Sequence, residues 1–197
     1  NRAFLARRIE QLRPRIHELA DDLIDGFEAD GRVDLLPDYA APLPAVVIAE
    51  MIGLPADMAP QLLAWSNSMV KMYMFGVDEA VEAEADRAAE EFVAYLTDVL
   101  AERRDRPQPD LLTHMLDAEI DGERLSDPEV IATTILLLNA GHEATVHTTG
   151  NAVATILRSG LDPDELFAGD DQAQATVEEC LRLDAPLHLF TRDALDV

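Results

Sequence analysis

The chain has 197 residues, 48% of them apolar, which suits one well-buried domain, and no apolar run approaches the roughly 20 residues that span a bilayer. Its 39 acidic against 15 basic residues give a formal net charge of −24, a surface that repels nucleic acid and anionic membranes, so neither is expected as a partner. A lone cysteine excludes an internal disulfide, and no segment reads as a signal peptide, so the expected compartment is the reducing cytoplasm. The pattern along the chain is helix after helix, and an all-α fold is expected for a single domain over residues 1–197. Leu5, Ile9, Leu12, Ile16, Leu19, Leu23 and Phe27 recur by fours and threes, one apolar stripe on a helix. Pro14 interrupts the stripe and predicts either a kink or the true start.

Val33 to Leu36 reads as a short extended or loop piece. Ala45 to Ile52 reads as a compact buried helix, fenced by Pro42 and Pro44 before it and by Gly53 and Pro55 after it. Asp57 to about Phe75 is a further helix with Gly76 as its stop. Asp78 to Arg106 is a long amphipathic helix whose Glu- and Asp-rich face is read as solvated. Arg106-Pro107-Gln108-Pro109 is a linker, and Asp110 to Glu119 a short helix.

Ser126-Asp127-Pro128-Glu129 has the residues of a capping box, with Pro in the first turn. The helix it opens is expected to run to about Ser159, roughly 50 Å, with Gly160 ending it. Asp162 to Phe167 and Asp170 to Leu183 are two more helices, and almost no strand is expected.

Near the middle of the long helix stands Leu136-Leu137-Leu138-Asn139-Ala140-Gly141-His142-Glu143-Ala144-Thr145-Val146. Small residues let something large approach the backbone. An acid beside an alcohol is suited to moving protons. The simpler reading of Ala140 and Gly141 is close helix packing. His142 and His147 suggest zinc, but a spacing of five places the second imidazole roughly 140° away, so that reading fails and both are ordinary core or surface residues.

Ala140 to Thr145 resembles the central-helix motif Ala/Gly-Gly-x-Asp/Glu-Thr-Thr/Ser of the cytochrome P-450 family, the haem-thiolate monooxygenases, except at Ala144. Glu179-Cys180-Leu181-Arg182 resembles the family's Glu-x-x-Arg, with Pro186 and Arg192 following in order. Asp34-Leu35-Leu36, Pro42-Leu43-Pro44 through Gly53-Leu54-Pro55, Asp110-Leu111-Leu112 and Asp121 to Ser126 also resemble the soluble bacterial branch.

The resemblance implies the helical middle of such an enzyme, with the haem-ligating cysteine loop outside this chain. It implies a haem b cofactor, a small organic substrate, and electrons from a ferredoxin-type donor with its NAD(P)H-dependent reductase. It puts Leu136, Ala140, Gly141 and Ala144 against the haem, with Gly141 letting the helix bulge, and gives Arg192 a haem carboxylate to hold. It makes Glu143 the proton relay, with Thr145 as the available alcohol. Thr145 lies about 100° round from Ala144, so it cannot fill the usual alcohol's place. Met72, Asn139, His188, Leu189 and Phe190 are implied to shape the substrate pocket; Asn139 either meets a polar substrate group or bonds within the core. Glu179 and Arg182 are implied to form a buried structural ion pair. Cys180, in mid-helix between them, is rejected as the iron ligand and expected to point along the helix surface. A haem-free, all-helical ligand-binding module is the rival that the helices alone allow.

Overall fold

The computed structural model describes residues 6–74, 76–120 and 122–187. The all-α expectation holds: eight α-helices and one two-stranded hairpin occur among the described residues. The chain divides into two compact units, Asn1–His142 and Glu143–Val197, with the dividing point inside one helix.

In the first unit, α1 (Ala6–Glu28) continues through Pro14. Leu12, Ile16, Leu19, Leu23 and Phe27 form its half-buried stripe. Of the extended or loop piece expected at Val33 to Leu36, Val33 and Asp34 are loop, Leu35 is already helical, and Leu36 opens a π-helical turn, Leu36–Ala40. Asp38 accepts a bond from the Asp34 amide, and the Ala41 amide reaches back to the Leu36 carbonyl, five residues away. Helix α2 (Pro42–Ile52) starts earlier than expected, because prolines near a first turn sacrifice no helical hydrogen bond. It buries Ala45, Ile48, Ala49 and Ile52 and stops at Gly53, whose φ is 107°. Arg15 pins α1 to it through Glu50, with Nη2 to Oε1 at 2.8 Å.

The helix expected from Asp57 to Phe75 is three pieces. A 3-10 turn (Ala56–Met58) leads into α3 (Ala59–Val70), which ends in a second 3-10 turn (Lys71–Tyr73). Pro60 has no amide hydrogen to donate, so it fits only a first turn and fixes where α3 starts. Phe75 lies outside the described residues.

Helix α4 (Glu79–Asp105) is capped by Asp78 and buries Ala85, Ala88, Phe92, Leu96 and Leu100. Its Phe92 stacks on Trp65 of α3 with ring centroids 5.0 Å apart. Helix α5 (Leu111–Asp117) is capped by Asp110 and is shorter than expected. Glu119 instead starts β1 (Glu119–Ile120), which pairs antiparallel with β2 (Glu123–Arg124).

Helix α6 (Asp127–Ser159) is the long helix, 33 residues. Its first half puts Val130, Ile131, Thr134, Leu138 and His142 into the unit-one core. The second unit holds its other half, the four-residue α7 (Pro163–Leu166) and α8 (Asp170–Leu183). There the Asn151 amide donates to the Asp184 carbonyl, and the Thr176 hydroxyl to the Leu166 carbonyl. Among the described residues, no helix is long and apolar enough to cross a membrane.

Candidate functional site

Helix α6 is held at its start by the glutamate half of the expected capping box. Glu129 accepts from both the amide and the hydroxyl of Ser126, and these bonds hold its carboxyl below the usual range. Arg104 pairs with Asp127 and depresses that carboxyl as well, through hydrogen bonding and charge. A long helix fixed in this way gives its middle a defined rotation.

Within the first unit, Leu136 is 62% exposed and Ala140 is exposed, although both lie on a helix whose opposite side is core. Their four-residue spacing puts them on one face. Asn139 is half-buried beside them, and its Oδ1 accepts a 2.7 Å bond from the Ser66 hydroxyl of α3. Of the two expectations for Asn139, the core bond is therefore present. Gly141 faces Ile48 of α2: a Cβ there would sit 3.1 Å from Ile48 Cδ1 and Cγ1. The helix runs through this position as unbroken α-helix. The bulge expected at Gly141 is not formed, and the small residue here lets two helices approach. His142 is buried and donates from Nδ1 to the Leu138 carbonyl, 3.0 Å away.

In the second unit Glu143, Ala144, Thr145 and His147 are all exposed. Glu179 and Arg182 do pair: Arg182 Nη2 lies 2.6 Å and Nε 2.7 Å from the carboxylate oxygens. Arg182 thereby lowers the Glu179 carboxyl. The pair is not buried as expected, with side chains 54% and 66% exposed. Both side chains are exposed, Glu179 at the edge of a cavity that Cys180 also lines, and Cys180 is the buried residue of α8. The expectation that Cys180 points along the surface is also corrected. It is buried, lining a cavity of about 280 Å³ with Ile156, Leu166 and Leu183. Met72 lies exposed in the 3-10 turn after α3. His188, Leu189, Phe190 and Arg192 lie outside the described residues.

Ser66 is the residue the sequence reading passed over. A signal existed: Ala59, Leu62, Ser66 and Met69 share one helical stripe, so a hydroxyl stands where an apolar side chain is the rule.

A haem, the group that the resemblance implies, requires a flat apolar face on one side and an axial thiolate. Leu136 and Ala140 offer an exposed apolar surface on which Ala140 adds little side-chain bulk, and this suits a flat macrocycle laid against the helix. The chain's single cysteine, buried in mid-helix, does not suit an axial thiolate. The residues present therefore fit one face of the group and not its axial ligand.

No family model matches the chain. Individual relatives do. Cytochrome P-450 107B1 of Saccharopolyspora erythraea is 40% identical over 189 residues, covering 94% of this chain and 44% of its own length. The putative cytochrome P-450 YjiB of Bacillus subtilis is 36% identical over 197 residues, covering 98% and 50%. The vitamin D(3) 25-hydroxylase of Pseudonocardia autotrophica is 39% identical over 188 residues, covering 94% and 45%. Among solved structures, P-450BioI in complex with an acyl carrier protein ligated to hexadec-9Z-enoic acid superposes with a TM-score of 0.86 at 32% identity, covering 93% of this chain and 47% of that one. Myxobacterial CYP267B1 in complex with myristic acid gives 0.86 at 36% identity, covering 96% and 46%. The chain belongs to the bacterial cytochrome P-450 family and has its helical fold. It spans about half the length of the curated relatives it matches.

Proposed function

We propose that the chain is the helical part of a haem-dependent monooxygenase, which inserts one oxygen atom from dioxygen into a small organic substrate. The observation that carries this reading is the exposed apolar surface of Leu136 and Ala140 on the helix whose sequence bears the family's acid and hydroxyl cluster. A haem b would supply dioxygen activation. Leu136, Ala140 and Ala144 would lie against it, and Arg192 would hold one of its carboxylates by charge-assisted hydrogen bonds.

Glu143 is the proton carrier in this reading. It is exposed, so it exchanges protons with solvent, and it stands one residue from Ala144. Thr145 is about 100° further round the helix than Ala144, so its hydroxyl serves only through water or a substrate group. Met72, Asn139, His188, Leu189 and Phe190 would surround the substrate. Electrons would come from a ferredoxin-type donor and its NAD(P)H-dependent reductase in the cytoplasm.

The test uses the complete natural protein containing this chain, reduced under carbon monoxide. A red-shifted thiolate Soret band is expected, and a haem-free preparation without it defeats the reading. Glu143→Gln should then lower product formed per reduced cofactor, and Ala144→Thr should broaden the substrates productively oxidised. Unchanged rate and coupling in Glu143→Gln would remove the relay role.

A further inference from the structure

The chain's single tryptophan meets a carboxylate at one edge and a phenol beside its ring. Trp65 of α3 is 8% exposed and packs against α4. Glu91, Phe92 and Tyr95 of α4 fall within about one turn, so one side of that helix presents all three to the indole. Phe92 stacks on the indole with ring centroids 5.0 Å apart, and Tyr95 stands tilted at 5.7 Å. Glu91 Oε2 accepts the indole Nε1 hydrogen at 2.9 Å. A backbone carbonyl would satisfy a buried indole as well, but a carboxylate can also keep the proton. Trp65 precedes Ser66, which is bonded to Asn139 at 2.7 Å, so a covalent stretch and one hydrogen bond join the indole to α6. Tyr95 is half-buried. Its hydroxyl makes no hydrogen bond among the described residues, where no buried side-chain polar atom lacks a partner, so it opens to solvent.

Indole and phenol rings are readily oxidised by one electron. The benzene ring of Phe92 is not, and it serves to keep water from the indole. The N–H of an oxidised indole is about as acidic as a carboxylic acid, so Glu91 is a matched acceptor. At neutral pH a phenol that gives up its proton is slightly easier to oxidise than an indole, which directs the oxidising equivalent on to Tyr95. Burial, and then Asp57, raise the Tyr95 phenol above its ordinary range, so it starts neutral and its proton leaves with the electron. We propose that Trp65 and Tyr95 form a one-electron relay that carries oxidising equivalents from the α6 side of the first unit to the surface. The oxidant, a radical derived from hydrogen peroxide, takes one electron from the indole, and the Nε1 proton passes to Glu91. Tyr95 then gives an electron to the indolyl radical, the indole recovers its proton from Glu91, and the phenol proton goes to solvent. A thiol or ascorbate in solution returns an electron and a proton to the tyrosyl radical. The relay is independent of the monooxygenase reading.

The test is laser flash photolysis of the complete protein containing this chain, with a ruthenium polypyridyl photosensitiser attached at Gln61→Cys. Gln61 is exposed and about 6 Å along α3 from Trp65. Excitation with persulfate in solution leaves the ruthenium one electron short and able to oxidise the indole. With both rings present, the indolyl radical absorbance should decay at the rate at which the tyrosyl absorbance rises. Tyr95→Phe should abolish that rise and lengthen the life of the indolyl radical, and Trp65→Phe should abolish both signals. Glu91→Gln keeps the hydrogen-bond acceptor but cannot hold the proton, so the protonated indole radical cation should be seen before the neutral radical. Should Trp65→Phe fail to fold, the Tyr95 and Glu91 variants decide alone. A tyrosyl rise that persists in Tyr95→Phe overturns the relay, as does an indolyl lifetime that is the same with and without Tyr95. A neutral radical formed as fast in Glu91→Gln overturns the role of the carboxylate. These signals are read whether or not the carbon monoxide band is present, so failure of the relay and failure of the haem reading are told apart.

Discussion

Gly53 ends α2 with a left-handed residue, and its carbonyl accepts a 2.5 Å bond from Arg103. Arg103 also donates to Asp110 at 2.6 Å, and their side chains are only 14% and 10% exposed. Asp110 in turn caps α5 through the Thr113 amide. Three elements therefore meet at one guanidinium, and a Cβ on Gly53 would collide with the Asp110 side chain. Gly53→Ala combines that collision with a strained φ and is expected to cost at least about 2 kcal/mol in urea unfolding. Arg103→Gln should cost about 2–3 kcal/mol, since it leaves a largely buried carboxylate without its cation. The glycine was legible as a helix stop. Its arginine partner was not, because a cation 50 residues away carries no local signal.

At the level of elements, α6 shows both an accurate reading and its limit. Capping chemistry is local, so Ser126 and Glu129 announced the helix start, and Gly160, with a φ of 68°, marked its end. The carboxyls of Asp127 and Glu129 are depressed in the folded state. Their contribution is fully present above their ordinary range near pH 4 and disappears as pH falls through the lowered folded values. Ser126→Ala and Arg104→Gln should therefore each move the acid-unfolding midpoint to higher pH, followed by circular dichroism. An unmoved midpoint would mean that these bonds do not hold the helix start.

Gly141 is the limit. Its neighbours in sequence suggested a cofactor, while the residue it meets belongs to α2. Gly141→Ala gains about 1 kcal/mol of helix propensity and loses a similar amount by crowding Ile48, so its net effect should be small. Gly141→Leu should cost about 3 kcal/mol. The sharper check is a double-mutant cycle. Ile48→Val removes one of the two crowded atoms, so Gly141→Ala should be more favourable in that background, and strict additivity would contradict the contact.

At the scale of the whole chain, two properties dominate. The net charge of −24 makes the folded state repel itself, so raising ionic strength toward about 0.15 M should raise the melting temperature. The second property is exposed apolar surface. Leu157, Leu161, Leu183 and Leu187 all stand open on the second unit. Residues 1 to 197 expressed alone should bind a hydrophobic dye and associate with rising concentration in light scattering. A monodisperse monomer at high concentration would count against this. Arg182→Ala should leave solubility unaffected, since an exposed pair holds little stability.

Periodicity, capping residues and proline placement lie within a few residues of what they control. They were enough to determine an all-α chain, most helix boundaries and the long α6, while the family was legible in two short motifs, Ala140 to Thr145 and Glu179 to Arg182. The tertiary structure alone decided which side of each helix is used. It turned Gly141 to Ile48, Asn139 to Ser66 and Cys180 into a cavity, and left Glu179 and Arg182 outside. Helical spacing fixes the angles between residues on one helix but not the direction in which that helix faces, which is set by packing against residues far away in the chain.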